Sequence, residues 1–188
     1  MTTHTFVVLA YKKSRYLENC IQSVLNQKFK SDVVIATSTR NDFIERIANK
    51  YHLDIIDNPN PGQGIGYDFD FARTCVHSDL VTIAHQDDVY DPTYSKEVVA
   101  HFEKYKDATI LFTDYYELRN GKKVFENTNL KIKRIMLMPL HNKKLSNQKI
   151  IKRLPLSLGD PICCPAVTFS QKNLKVDKLF ACHMKCDV

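Results

Sequence analysis

The sequence has no run of about 18 apolar residues, so it holds no segment long enough to cross a bilayer as a helix. Its N-terminus also lacks the basic-then-apolar pattern of a secretory leader. A cytoplasmic chain is therefore expected, working at the inner face of the cell membrane if it meets a membrane. No Cys-x-x-Cys spacing occurs among Cys20, Cys75, Cys163, Cys164, Cys182 and Cys186, which argues against a disulfide scaffold and for reduced thiols. Zinc is a poor fit as well: Cys182, His183 and Cys186 would need the vicinal pair Cys163-Cys164 to complete a tetrahedral set. Internal repeats and low-complexity tracts are missing.

Negative charge is missing from one stretch. Between Glu126 and Asp160 there is no acid, while Lys131, Lys133, Arg134, Lys143, Lys144, Lys149, Lys152 and Arg153 all fall there. The net charge of +6 thus resides in one segment. Interleaved with Ile132, Ile135, Met136, Leu137, Met138 and Leu140, these cations suit a peripheral membrane contact, an anionic substrate, or a solvated surface with scattered lysines.

What is present is an apolar content of 44% over 188 residues, enough for one sizeable core and one domain spanning 1–188. "TFVVLA" (5–10), "DVVIAT" (32–37), "LDIID" (53–57) and "LVTIA" (80–84) read as strands. Helices are predicted over 14–27, 41–51, 67–77 and 92–105 from apolar residues recurring on one face, with Pro92 suited to a first turn. The Asn-Gly of Arg119-Asn120-Gly121 predicts a hairpin between "TILFTDYYEL" and "KKVFEN". Strand and helix alternating four times define an α/β fold of three layers with a mostly parallel sheet, which binds ligands at the carboxyl ends of its strands.

That rule gives weight to "TIAHQDDVYDP" (82–92), where a buried strand delivers Gln86, Asp87 and Asp88 to its C-terminal end. Two hard carboxylates there suit Mn²⁺ or Mg²⁺ completed by the oxygens of a diphosphate. The plainer alternative is a turn opened by aspartates before Pro92. His85 beside them either lines the same pocket or is a satisfied side chain.

Taken in order, the motifs resemble family 2 glycosyltransferases. "FVVLAYKKSRYLENCIQSVLNQ" resembles the family's opening strand, turn and helix ending in Ser-hydrophobic-hydrophobic-x-Gln; Gly64 in "NPGQGIGYDFDFA" resembles its Asn-x-Gly segment; "AHQDDVYDP" resembles its Asp-rich metal motif. The likeness covers about residues 5–115. It implies a GT-A, Rossmann-like sandwich, with a nucleotide-sugar part at about 1–115 and an acceptor-side part at about 116–188 that is incomplete. It also implies an inverting transfer from a nucleotide-diphosphate sugar, most simply a UDP-sugar, to a saccharide or lipid-linked acceptor in polysaccharide synthesis, and no nucleic-acid partner.

By the same resemblance Asp88 holds the metal, and Asp87 contacts the ribose or the metal shell. Gln86, Gly64 and Tyr11 face the donor, Tyr11 stacking on the base or lying half-buried. Gln86 departs from the family's Asp-x-Asp triplet. The turn after the second strand departs further, reading Ala36-Thr37-Ser38-Thr39-Arg40-Asn41-Asp42 where the family has acids. Thr37 and Ser38 would bond a base and Arg40 a phosphate, while Thr39 or Asn41 equally fits a helix cap. An acid near the end of the chain is the expected catalytic base, with Asp187 first and Asp160 second, against a reading of both as surface acids. The two departures leave open a second function, a catalytically impaired nucleotide-sugar binding or scaffold protein.

Overall fold

The computed structural model describes residues 2–142, 144–146, 148–176 and 178–181. Two compact units emerge: the first runs to Leu111 and resumes at Thr168, and the second is Phe112–Val167.

In the first unit β1 (His4–Ala10), α1 (Leu17–Leu25), β2 (Asp32–Thr37), α2 (Asp42–Tyr51), β3 (Ile55–Asp57), α3 (Ile65–Thr74), β4 (Leu80–His85) and α4 (Tyr94–Lys104) follow one another. β5 (Ile110–Phe112) leads to the second unit, and β8 (Val167–Ser170) leads back from it. The sheet order is β3-β2-β1-β4-β8-β5. β1 pairs in parallel with both β2 and β4, and β2 with β3. β8 is antiparallel to β4, with Thr82 opposite Thr168.

The central strands are buried at consecutive positions, as expected where both faces of a sheet are covered. Phe6, Val8 and Ala10 pack into one cluster with Leu17, Cys20, Ile21 and Val24 of α1 and Val98, Val99 and Phe102 of α4. α3 contacts β1 and β4 and contributes buried Phe69 and Ala72.

Helix bounds differ from the sequence pattern for local reasons. α1 starts at Leu17, where the Leu17 amide donates to the Ser14 carbonyl at 3.2 Å and residues 14–16 form a turn. Asn41 caps α2, its Oδ1 accepting from the amides of Phe43 (3.0 Å) and Ile44 (3.3 Å). α3 begins two residues before the expected start. Gly64 is its N-cap, at a φ of 104° that only glycine adopts easily.

In the second unit, β6 (Glu117–Arg119) and β7 (Lys122–Val124) form the expected hairpin. Asn120 and Gly121 have φ of 51° and 74°, the two positive values a type I′ turn needs. The stretch read as one strand before that turn is split, its first part joining the main sheet as β5. α5 (Thr128–Leu137) and α6 (Lys149–Leu158) complete the unit. Neither helix, nor β8, was assigned from the sequence. Among the described residues, no helix is long and apolar enough to cross a membrane.

Candidate active site

β4 ends at His85, and the chain turns at once, the Asp88 amide donating to the His85 carbonyl at 3.1 Å. This folds the Asp88 carboxylate back to 3.8 Å from Nδ1 of His85. Ligand atoms of His85, Asp87 and Asp88 all lie within 4.8 Å of one another. Burial, reinforced by the neighbouring charge of Asp87, pushes the Asp88 carboxyl up to about 6. Burial lowers the His85 imidazole against the opposing pull of Asp87, which favours a neutral ring with a lone pair to offer. Like charges crowded into a partly dry corner are relieved by a cation. The set of two carboxylates and one imidazole therefore fits a divalent ion that keeps positions open for diphosphate oxygens and water.

The ring of His85 is held from behind. Phe69 of α3 meets it edge-on at 5.0 Å between centroids, and Phe180 follows Phe69 at 5.2 Å. Cys20 of α1 donates its thiol to the His85 carbonyl at 3.2 Å. Burial first, then Asp88 and Asp87, push that thiol up to about 12, so Cys20 stays protonated and is no ligand.

The "SVLNQ" motif supports the turn from the other side. Ser23 Oγ accepts from the Tyr90 amide at 3.0 Å. The Gln27 amide donates to the Asp91 carbonyl at 2.9 Å and accepts from the Ser95 amide at 3.0 Å. The end of α1 thus clamps residues 90–95 as they leave the acid pair.

A hydrogen-bonded rim continues across the carboxyl ends of β1, β2 and β3. Gln86 spends both polar ends of its side chain on the Tyr11 peptide: Oε1 accepts from Tyr11 N at 3.0 Å, and Nε2 donates to Tyr11 O at 3.1 Å. This residue braces β1 against β4. Tyr11 presents an exposed ring with Lys12 Nζ over it at 5.0 Å. The Lys12 amide donates to Thr39 Oγ1 at 2.6 Å, and the Thr39 amide to Thr37 Oγ1 at 3.0 Å. Thr37 is buried. Ser38 Oγ donates to Asp68 Oδ2 at 3.0 Å, and Asn58 Nδ2 to Asp68 Oδ1 at 2.7 Å.

The structure thus gathers Tyr11, Thr37, Ser38, Gln86, Asp87 and Asp88 on one edge of the first unit. Arg40 is engaged by two carboxylates, Glu45 at 2.7 Å and Asp57 at 2.8 Å. Gly64 supports the site through the start of α3. Asp160 is an exposed residue of the second unit. Asp187, with Cys182, His183 and Cys186, lies outside the described residues. Two site residues were not singled out for these places: His85 as a ligand and Asp68 as the carboxylate beside Ser38. The signal for His85 was its place at the end of the same apolar strand. For Asp68 it was the first turn of a helix opened by Gly64.

A mostly parallel sheet with a candidate metal-binding set and a polar rim at its strand ends has the layout of an α/β domain that binds ligands at the carboxyl ends of its strands. The chain belongs to glycosyl transferase family 2, whose model matches residues 5–173. No curated protein matches the sequence. Solved structures with the same GT-A fold include glucosyl-3-phosphoglycerate synthase from Mycobacterium tuberculosis in complex with Mn²⁺ and UDP-glucose, 15% identical with a TM-score of 0.59. That match covers 91% of this chain and 57% of the synthase chain. S. aureus TarS 1-349 in complex with UDP-GlcNAc is 19% identical with a TM-score of 0.55, over 65% of this chain and 37% of its own. The mannosyltransferase PcManGT from Pyrobaculum calidifontis, in complex with GDP-Man and Mn²⁺, is 15% identical with a TM-score of 0.52, over 63% and 36%. The chain spans less than two thirds of the length of each of these proteins.

Proposed function

We propose that this chain carries the donor half of an inverting glycosyltransferase, moving a sugar from a nucleoside-diphosphate donor, most simply a UDP-sugar, to a saccharide or lipid-linked acceptor. The observation that carries this reading is the convergence of His85, Asp87 and Asp88 at the end of β4. Asp88 and Asp87 would hold the ion, with His85 as a third ligand. An imidazole nitrogen in that set favours Mn²⁺ over Mg²⁺, because nitrogen donors bind the later metal more strongly. When bound, the ion supplies positive charge where the departing diphosphate gathers negative charge. The acceptor hydroxyl loses its proton to a base, and its oxygen forms the new bond on the face of the anomeric carbon opposite the breaking bond to diphosphate. Asp187, then Asp160, remain the proposed bases.

Along the rim, Tyr11 would flank the base and Thr37 and Ser38 would line its place. Gly64 would let α3 start close to the donor. Gln86 acts through Tyr11, whose peptide it holds. Arg40 would meet phosphate only by giving up Glu45 or Asp57. In the domain reading, about 1–115 is the donor part and about 116–188 the acceptor side. Placement at the cytoplasmic face of the membrane would suit a lipid-linked acceptor.

The competing reading, a binding or scaffold protein without turnover, is favoured by Gln86, which brings no charge to the triplet. Titration calorimetry with UDP, with and without Mn²⁺, tests the site, and donor hydrolysis tests turnover. We expect binding that needs Mn²⁺, is abolished in Asp88→Asn and is weakened in Asp87→Asn. Equal affinity in both variants and the parent would overturn the metal assignment. Tight Mn²⁺-dependent binding without hydrolysis would favour the scaffold.

A further inference from the structure

α6 presents two chemically opposite surfaces. Ile150, Leu154 and Leu158 recur at i, i+4 and i+8, which places them along one stripe of the helix. They are 78%, 45% and 71% exposed. Ile151 and Pro155 continue the same apolar arc, and Pro155 is buried. On the opposite side stand Lys149, Lys152 and Arg153, all exposed, with the exposed Leu156 among them. Among the described residues, none of the three has an ion-pair partner, in contrast to Arg134 with Asp114 and Lys131 with Glu126. α5 repeats the pattern with exposed Ile132 and Ile135, continued by Met138 just past its end.

A short helix with an exposed apolar stripe, unpaired cations on its other side and no acid in its segment has the chemistry of an interfacial helix. We infer that α6 docks the second unit on a bilayer containing anionic lipid. Ile150, Leu154 and Leu158 sink to the acyl boundary, while Lys149, Lys152 and Arg153 reach back to headgroup phosphates. Charge selects this occupant over another protein surface. A bilayer stacks an anionic layer directly on an apolar one, so a single helix lying in the plane satisfies both sides at once. The inference rests on α6 and stands whether or not sugar transfer does.

Co-sedimentation with vesicles of phosphatidylcholine alone, or with one third phosphatidylglycerol, tests it. The parent should bind only the anionic vesicles and release in high salt. The K149Q/K152Q/R153Q variant should bind about a hundredfold more weakly, from roughly a fivefold effect per cation near the surface. The I150S/L154S/L158S variant should lose binding even at low salt, and both variants should keep the circular dichroism and the Mn²⁺-dependent UDP affinity of the parent. Absence of parental binding to anionic vesicles overturns the inference, as does binding that neither variant changes. Concentration-dependent self-association that the serine variant abolishes, without vesicle binding, would assign the stripe to a second copy of the chain instead.

Discussion

Asp68 is held by two neutral donors, Ser38 and Asn58, which use about half of the acceptor capacity of a carboxylate. The other half is free to accept from the ring N–H that uracil and guanine carry and that cytosine and adenine lack. The next residue, Phe69, packs its ring on His85 beside the acid pair at 5.0 Å between centroids, so one helix connects Asp68 to that pair. Asp68→Asn keeps the shape but turns an acceptor into a donor. UDP affinity should fall about ten- to a hundredfold, as for loss of a hydrogen bond to a charged group, and CDP should gain relative to UDP in the same calorimetric titration. Unchanged discrimination would remove Asp68 from base reading while leaving metal-dependent binding intact. Asp87 and Asp88 were legible in the sequence because two carboxylates closing an apolar strand need a cation or a turn to explain them. Asp68 was not, because its role depends on Ser38 and Asn58, thirty and ten residues away, arriving at the same place.

At the scale of elements, α3 fastens the last described residues to the sheet. Buried Asp70 accepts from the amides of Leu179 (2.7 Å), Phe180 (3.1 Å) and Ala181 (2.9 Å), and buried Arg73 donates to the Val176 carbonyl at 2.5 Å. A Cβ on Gly66 would stand 3.0 Å from the Phe180 carbonyl oxygen, where backbone has to shift. Gly66→Ala should therefore cost about 1–3 kcal/mol, the range for overpacking. Urea denaturation should show the loss, and amide exchange at Leu179, Phe180 and Ala181 should quicken. The parallel strands and α1, α2 and α4 were legible because their apolar periods are long and regular. Gly66 hid the start of α3, since it reads as part of a turn-rich run yet serves as a helical residue in a close approach. α6 was hidden by Pro155 and by its density of lysine and arginine. β8 is only four residues long, and its pairing with β4 depends on contacts far away in sequence.

For the whole molecule, stability against acid turns on His4. The ring is buried, with Nδ1 at 2.7 Å from Ser31 Oγ and Nε2 at 2.9 Å from Thr82 Oγ1; Thr82 meets Thr168, which meets Tyr94. Burial lowers this imidazole to about 4 from 6.5. The unfolded chain takes up the proton first, so stability is lost as pH falls from about 6.5 towards 4, by up to about 3 kcal/mol. Asp88, raised to about 6 by burial and Asp87, acts oppositely, since the folded state holds its proton longer and gains stability as pH falls from about 6 towards 4. His85, also lowered by burial, adds to the His4 effect, so a net loss should set in as pH falls below about 6.5, in urea unfolding followed against pH. His4→Gln should flatten that slope. An unchanged slope would remove His4 as its source.

The sheet order also fixes a timetable for synthesis. β8 lies between β4 and β5 but is translated only after residues 113–166 have been added, about three to ten seconds later at roughly 5–20 residues per second. Throughout that interval the hydrogen-bonding edge of β4 that later receives Thr168 and Ser170 has no native partner, and any other extended chain emerging nearby competes for it.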